Sequence, residues 1–360
     1  MKFALFGLSI TSSWGNGHTV TFRALTKALV KRGHDVVFFE RDVPWYRSFR
    51  DELGPEYGRI ELYSSLADLK PFKKELKNAD CIMIGSFVPE GVAVADLLLH
   101  QARHACTIFY DLDTPVTLRK LEEQDEEYIS RELISRFDLY FSFAGGAVLD
   151  KLAKRFAVQN PIPFWCCVDP ESHQPVELAN EWDLGYLGTY SADRQRRLHS
   201  LLLRPAQCLP NHHFIVSGPL YPPGIQWPEN VQRLEHTKPA EHNAFYAKQR
   251  YTLNITRAAM ARNGYSPSTR LFEAAACGTP IISDPWPGLE EFFQPGSEIL
   301  IATNYRAVAE ILCELPENDR KQVGERARKR VLHNHTAEHR IIKLENLIQK
   351  TGSIKFGQRT

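Results

Sequence analysis

The sequence predicts an α/β protein made of two doubly wound parallel-sheet domains. Three observations carry that expectation. Short apolar runs alternate with helical patterns up to about residue 143, a proline-rich stretch interrupts them at residues 159–175, and a second alternating series follows to about residue 302. Strands that alternate with helices form parallel sheets covered on both faces, and ligands sit at the carboxyl ends of such strands.

The first domain opens as a βαβ unit. Residues 3–8 form an apolar strand, Phe22, Leu25, Ala28 and Leu29 recur at helical spacing, Gly33 ends the helix, and residues 35–40 return as a strand. Residues 81–85, 106–110 and 139–143 supply further buried strands. The stretch 159–175 carries four prolines and little periodicity, which suits a crossing between domains. Strands are then expected at 183–188, 214–217, 251–255, 280–283 and 298–302, with helices through 305–349 and an unstructured tail over 353–360.

Composition narrows the function. With 360 residues the chain suits two domains of ordinary size. Its 44 basic and 43 acidic residues are interspersed and give a formal net charge of +1, so nucleic acid and anionic membranes are not the expected partners. Seven cysteines without a C-x-x-C pair suit a reduced, cytoplasmic protein. The apolar start of the chain continues as the βαβ unit and does not read as a signal peptide, and no apolar run reaches the ~20 residues needed to span a bilayer.

The stretch Tyr265-Ser-Pro-Ser-Thr-Arg-Leu-Phe-Glu-Ala-Ala-Ala-Cys-Gly-Thr-Pro-Ile-Ile-Ser283 reads as an anion-binding helix. Ser266 is placed as N-cap, Pro267 as the first helical residue and Gly278 as the left-handed stop. Ser266, Ser268 and Thr269 add hydroxyls where free amides and the helix dipole favour a diphosphate. Glu273, inside an apolar run, needs a partner if buried, and the vicinal hydroxyls of a ribose would supply one.

This segment resembles the donor-binding helix of GT-B glycosyltransferases, particularly the family-4-like enzymes and their CgeB-type branch. In the family-4 pattern two glutamates stand eight positions apart, the second followed by Ala-x-Ala-Cys-Gly-x-Pro. Glu273-Ala-Ala-Ala-Cys-Gly-Thr-Pro280 matches the second half, while Tyr265 stands where the first glutamate would contact the donor sugar. The resemblance implies a GT-B fold of two Rossmann-like domains facing across a cleft: an acceptor domain over 1–165, a donor domain over 166–335, and a C-terminal helix in 336–360 crossing back to the first domain. It implies sugar transfer from a nucleotide diphosphate sugar to an acceptor hydroxyl, with retention and without a metal or other cofactor. The acceptor is a small molecule, a glycan or a protein.

Site residues follow from both lines of reasoning. On the donor side the basic run after the strand at 183–188 offers Arg194, with Arg196 and Arg197 expected on the solvated face; Gly218 and Arg257 follow later strands, and the segment at 283–286 offers a resting place for base or ribose. On the acceptor side the resemblance implies that Gly15 and Gly17 let backbone approach the transferred sugar and makes His18 a candidate for acceptor contact or for the acceptor proton. Asp111 and Asp113, in Tyr-Asp-Leu-Asp-Thr-Pro, are candidates to orient an acceptor hydroxyl or stabilise charge on the sugar. Three other readings stay open: a GT-B epimerase, a non-catalytic nucleotide-sugar binder, and an NAD-dependent oxidoreductase using Gly15, Gly17 and Glu40. Nucleobase, sugar and oligomeric state are not legible.

Overall fold

The computed structural model describes residues 1–101 and 104–357. The chain divides into two compact units, Val168–Thr336 and Met1–Cys167 joined by the segment from Ala337 onward.

Unit 1 holds a seven-stranded sheet: β1 (Lys2–Gly7), β2 (Asp35–Arg41), β3 (Arg59–Tyr63), β4 (Cys81–Gly85), β5 (Cys106–Asp111), β6 (Leu139–Ser142) and β7 (Pro161–Pro163). Every pairing is parallel, in the order β3-β2-β1-β4-β5-β6-β7. The principal helices here are α1 (His18–Lys31), α2 (Gly91–Gln101), α3 (Thr114–Glu123) and α4 (Ala147–Phe156). Strand order reverses between β1 and β4, so the crevice expected of a doubly wound sheet opens at the carboxyl ends of those strands. Phe6, Phe39, Ile84, Phe109 and Tyr140 lie in the core under one face.

Unit 2 repeats the plan with β8 (Trp182–Leu187), β9 (Phe214–Ser217), β10 (Val231–Leu234), β11 (Gln249–Asn254), β12 (Ile281–Ser283) and β13 (Leu300–Ile301), all parallel and ordered β10-β9-β8-β11-β12-β13. Its helices include α5 (Ala192–Leu198), α6 (His242–Ala247), α7 (Ala258–Asn263), α8 (Thr269–Ala276) and α9 (Glu317–Asn334). Here the order reverses between β8 and β11.

The last helix, α10 (Ala337–Gly357), packs on α1 and β5 of unit 1. Glu345 accepts from Arg32 Nη2 at 2.7 Å and lies 2.7 Å from His34 Nε2, while Arg340 and Lys343 donate to the carbonyls of Trp165 and Pro163 at 3.0 and 2.8 Å. The helix runs past Ser353, where a tail was expected. Gly352 does not end it, since one interior glycine costs about 1 kcal/mol against a helix of 21 residues. Residues 358–360 lie outside the described residues.

Three strands were not expected: β3, β7 and β10. All stand at sheet edges, where one side of the ladder is unpaired and the apolar signal is weakest. β7 is Pro-Ile-Pro inside the stretch read as a hinge, and an edge is where a sheet tolerates proline.

Candidate functional site

In unit 2 the donor-side residues gather around the ends of β8, β9 and β11. The organising helix begins two residues later than expected. Gly264 and Tyr265 adopt positive φ (69° and 49°), Tyr265 N–H donates to the carbonyl of Pro287 at 2.7 Å, and Ser266 to Ser268 lead in before α8 starts at Thr269. Ser268 is therefore the N-cap and Ser266 is buried. Ser268 Oγ does not cap the helix; it donates to Asn254 Oδ1 at 2.9 Å and pins the helix start to the end of β11. At the other end Gly278 (φ 75°) closes the helix as expected.

Arg270, which sequence reasoning passed over, completes that junction. Its Nη1 donates to the same Asn254 oxygen at 3.1 Å and its Nε to the carbonyl of Leu187 at 2.5 Å, with the guanidinium 4.6 Å from the Tyr186 ring centroid. A nearly buried cation is thus placed at the switch point of the sheet. Arg194, on α5, donates to the carbonyl of Thr189 at 2.6 Å. Arg233 lies over Tyr221 (4.2 Å) and Trp227 (4.7 Å) and donates to the carbonyl of Gly218 at 2.9 Å. Tyr221 donates to the carbonyl of Gly188 at 3.1 Å; burial pushes its phenol well up, and the charges of Arg194, Arg233 and Arg270 pull against that rise. Gly218 (φ 150°) permits the close approach of the two strand ends, since a Cβ there would stand 2.1 Å from the Gly188 carbonyl oxygen.

Arg257 follows β11 and its Nε lies 3.7 Å from Asp193 Oδ2. Beside it a cavity of ≈ 600 Å³ is lined by Asp193, Arg196, Arg197, Thr256, Arg262 and Asp284. Arg196 and Arg197 thus face a cavity, where a plain solvated face had been expected. The 283–286 segment is largely committed to the fold: Asp284 accepts from Thr256 N–H at 3.0 Å and Trp286 is buried against Phe292. Glu273 is also buried, and Tyr246 donates to its Oε2 at 3.0 Å, so one carboxylate oxygen already has a partner. That partner comes from α6 and had no local signal.

In unit 1 the loop after β1 is tied down by Glu40. Its Oε2 accepts from the backbone N–H of Ile10 (2.6 Å) and Thr11 (2.9 Å), and its Oε1 from Thr11 Oγ1 at 2.6 Å. A carboxylate so occupied is not offered to a dinucleotide ribose. Gly15 (φ 63°) turns the loop and Gly17 is the N-cap of α1. His18 N–H donates to Asn16 Oδ1 at 3.0 Å and its ring packs on Phe87 at 5.5 Å. Phe87 holds φ 67°, a strained value for an aromatic residue, and packs on Tyr128 at 4.9 Å. Tyr128 Oη is 2.8 Å from Thr117 Oγ1, which donates to Asp111 Oδ1 at 2.6 Å. One contact chain therefore links two residues predicted separately, His18 and Asp111.

Asp111 is fully buried, with Thr117 on one oxygen and Tyr140 on the other. Burial pushes its carboxyl up to about 6, against the hydrogen bonds from Thr117 and Tyr140. Asp113 is only half-buried and stands at the N-cap of α3, its carbonyl accepting from Val116 and Thr117 N–H at 2.9 and 3.1 Å. Of the two acids, Asp113 is the more exposed.

Residues 194–346 match the family model described as glycosyl transferase-like. Among solved structures the fold is similar to sucrose-phosphate synthase from Thermosynechococcus elongatus (14% identity, TM-score 0.70, 97% of this chain and 98% of that one). It is also similar to Anabaena HepE in complex with UDP and glucose (13% identity, TM-score 0.71, covering 97% and 100%). A third match is an alpha-glucosyltransferase in complex with UDP and a 13-mer DNA containing an HMU base (14% identity, TM-score 0.71, covering 97% and 99%). At these identities the likeness establishes the fold, which is GT-B. No curated protein matches the sequence. Among the described residues no helix is long and apolar enough to cross a membrane.

Proposed function

We propose that the chain is a glycosyltransferase that moves a sugar from a nucleoside diphosphate sugar to an acceptor hydroxyl, in the family-4-like manner and within its CgeB-type branch. The observation that carries this reading is the junction at the end of β11, where Asn254 holds both the start of α8 and the guanidinium of Arg270. First-turn amides of α8, the hydroxyl of Thr269, and the N–H groups of Arg270 and Arg194 beyond those bonded to Leu187, Asn254 and Thr189 suit a diphosphate. Such a set stabilises charge on the leaving diphosphate through fixed dipoles and cations, so transfer is proposed to run without a metal at the phosphates. Retention of configuration is the accompanying expectation.

Glu273 meets the ribose hydroxyls with the carboxylate oxygen that Tyr246 does not hold. Gly218, where the ends of β8 and β9 come together, and Arg257, beside Asp193, complete the donor side of this reading. Unit 1 binds the acceptor. His18 accepts the proton of the acceptor hydroxyl, Asp113 orients that hydroxyl, and Asp111 holds the loop through Thr117 and Tyr140 without itself touching substrate. A net charge of +1 favours a small-molecule, glycan or protein acceptor over nucleic acid, in a cytoplasmic setting.

The test is thermal unfolding with UDP, GDP, dTDP, their sugar conjugates and NAD. A ligand at a hundred times its Kd stabilises by ~2.7 kcal/mol, which moves the midpoint by a few degrees. A shift with one nucleoside diphosphate is expected and identifies the base; a shift with NAD alone overturns the reading.

A further inference from the structure

Unit 2 also brings together His173, His242 and Glu273, of which the transfer reaction as proposed uses only Glu273. His173 lies on a tight turn in which Asp169 accepts from the backbone N–H of Glu171 (3.0 Å) and His173 (2.9 Å) and from Ser172 Oγ (2.7 Å). His242 opens α6, and Glu273 lies one turn into α8. These three segments are far apart in sequence and converge in the fold. The two imidazole rings are 5.8 Å apart, His242 Nδ1 is 3.9 Å from Glu273 Oε2, and one potential ligand atom from each residue lies within 4.8 Å of the others. All three side chains are buried, with relative exposures of 4% for His173, 7% for His242 and 4% for Glu273.

Among the described residues, neither ring nitrogen of His173 nor Nδ1 of His242 has a hydrogen-bond partner. A buried polar group left in that state costs ~1–3 kcal/mol, so three of them beside a buried carboxylate call for an occupant. The ligand atoms present are one lone pair on each neutral imidazole and the oxygens of a carboxylate. Burial lowers the pKa of both histidines, with the Glu273 charge opposing the fall, and this favours the neutral imidazole that ligates metals. A cation takes the one lone pair that each neutral ring offers and balances the carboxylate.

We propose that His173, His242 and Glu273 form a site for a divalent cation of the zinc class. Two imidazoles and one carboxylate are a borderline donor set suited to that class. Metal–ligand distances of about 2.0–2.1 Å require the three atoms to draw together by roughly an ångström, which side-chain rotation supplies. The fourth position falls to water or to the Tyr246 hydroxyl, which already donates to Glu273 Oε2. The ion fastens the turn at 169–173 to α6 and α8; it fixes Glu273 from behind and is separate from the phosphates. The inference shares Glu273 with the donor reading and otherwise stands apart from it.

Protein purified without a histidine tag is assayed for bound metal, stripped with a chelator, and titrated with Zn²⁺ and with Co²⁺. About one ion per chain is expected, with a rise in the unfolding midpoint and a tetrahedral-type Co²⁺ spectrum. His173→Ala and His242→Ala, checked for native circular dichroism, are expected to weaken metal binding at least about tenfold. A trace of metal in the wild type with no Zn²⁺-dependent shift overturns the proposal. So does stoichiometric metal that both variants retain with wild-type affinity. The UDP-induced shift, measured on the same samples, reads the donor proposal separately.

Discussion

At the carboxyl ends of the strands in unit 1 the buried charged groups are carboxylates, Glu40 and Asp111, and the donors around them come from the protein's own amides and hydroxyls. At the corresponding ends in unit 2 a buried carboxylate, Asp284, is again held by a backbone N–H, but beside the ends of β8 and β11 stands a guanidinium, Arg270, whose partners are a backbone carbonyl and an amide oxygen. The difference follows from valence. A carboxylate accepting three hydrogen bonds, as Glu40 does, has little left for a ligand, whereas a guanidinium has five donors and the reported bonds of Arg270 use two of its nitrogens. Unit 1 thus uses charge to set loop shape, and the proposed function has unit 2 offer charge to an anion.

The sharpest break of this comparison is at His18, the ring that the loop chemistry of unit 1 delivers beside Phe87. His18→Ala is expected to slow transfer by ~10²–10⁴-fold while leaving the affinity for the nucleoside diphosphate unchanged. Single-turnover rates and titration calorimetry on one preparation check both halves. Wild-type rates in the variant would remove the proton-accepting role from unit 1 and leave only positioning there.

Arg270→Met comes next. It keeps much of the stem's packing on Tyr186 and removes the fork, so Leu187 and Asn254 each lose a donor. A loss of about 2–4 kcal/mol in urea unfolding is expected, together with weaker diphosphate binding. Lysine should restore little, because a point charge cannot serve both oxygens in the same geometry. If Arg270→Met lost stability but bound UDP normally, the guanidinium would be structural, and the contrast between the units would collapse.

Asp111 tests the other side of the contrast through pH. Its carboxyl is raised to about 6 from an ordinary 3.8, so the folded state binds the extra proton between those values. Its contribution to stability is present below about pH 4 and is lost as pH rises through about 6, a swing on the order of 3 kcal/mol for so buried a group. Asp111→Asn stays neutral throughout. The stability of the variant relative to wild type should therefore climb between pH 4 and pH 6.5 and then level off. A pH-independent difference would mean that Asp111 ionises in the fold as it does in the unfolded chain.

These contrasts were unevenly legible in the sequence. The alternation of strands and helices and the Gly278 stop are local features, and they predicted both sheets and the left-handed end of α8. Its start was misplaced because Ser266 looks like a cap, whereas the decisive bond runs from Ser268 to Asn254 on another element. Arg270 went unnoticed inside an apolar run, since its partner Leu187 is 83 residues away. His173 and His242 were unreadable for the same reason: no periodicity marks a turn and a helix start that meet only when the sheet has formed. Asp111 and Asp113 were found together by motif, and only burial and bonding separate the enclosed acid from the half-buried one.

The smallest expected effect is at Glu345, on the helix that returns to unit 1, and it has the opposite sign to Asp111. Hydrogen bonds from Arg32 and His34 hold its carboxyl down at about 2, with partial burial opposing them. A depressed carboxylate stabilises the fold above its unfolded value of 4.5, and that contribution fades as pH falls from there toward 2. Side-chain exposures of 15% for Glu345 and 34% for Arg32 leave the pair open to solvent and salt, so Glu345→Gln should cost no more than ~1 kcal/mol at neutral pH. The variant and wild type should draw together as pH falls from 4.5 and converge below about pH 2. A larger neutral-pH loss, insensitive to added salt, would show that the pair fixes α10 against α1 rather than decorating its surface. Within unit 1 a raised acid and a depressed one would then both serve to hold a segment in place.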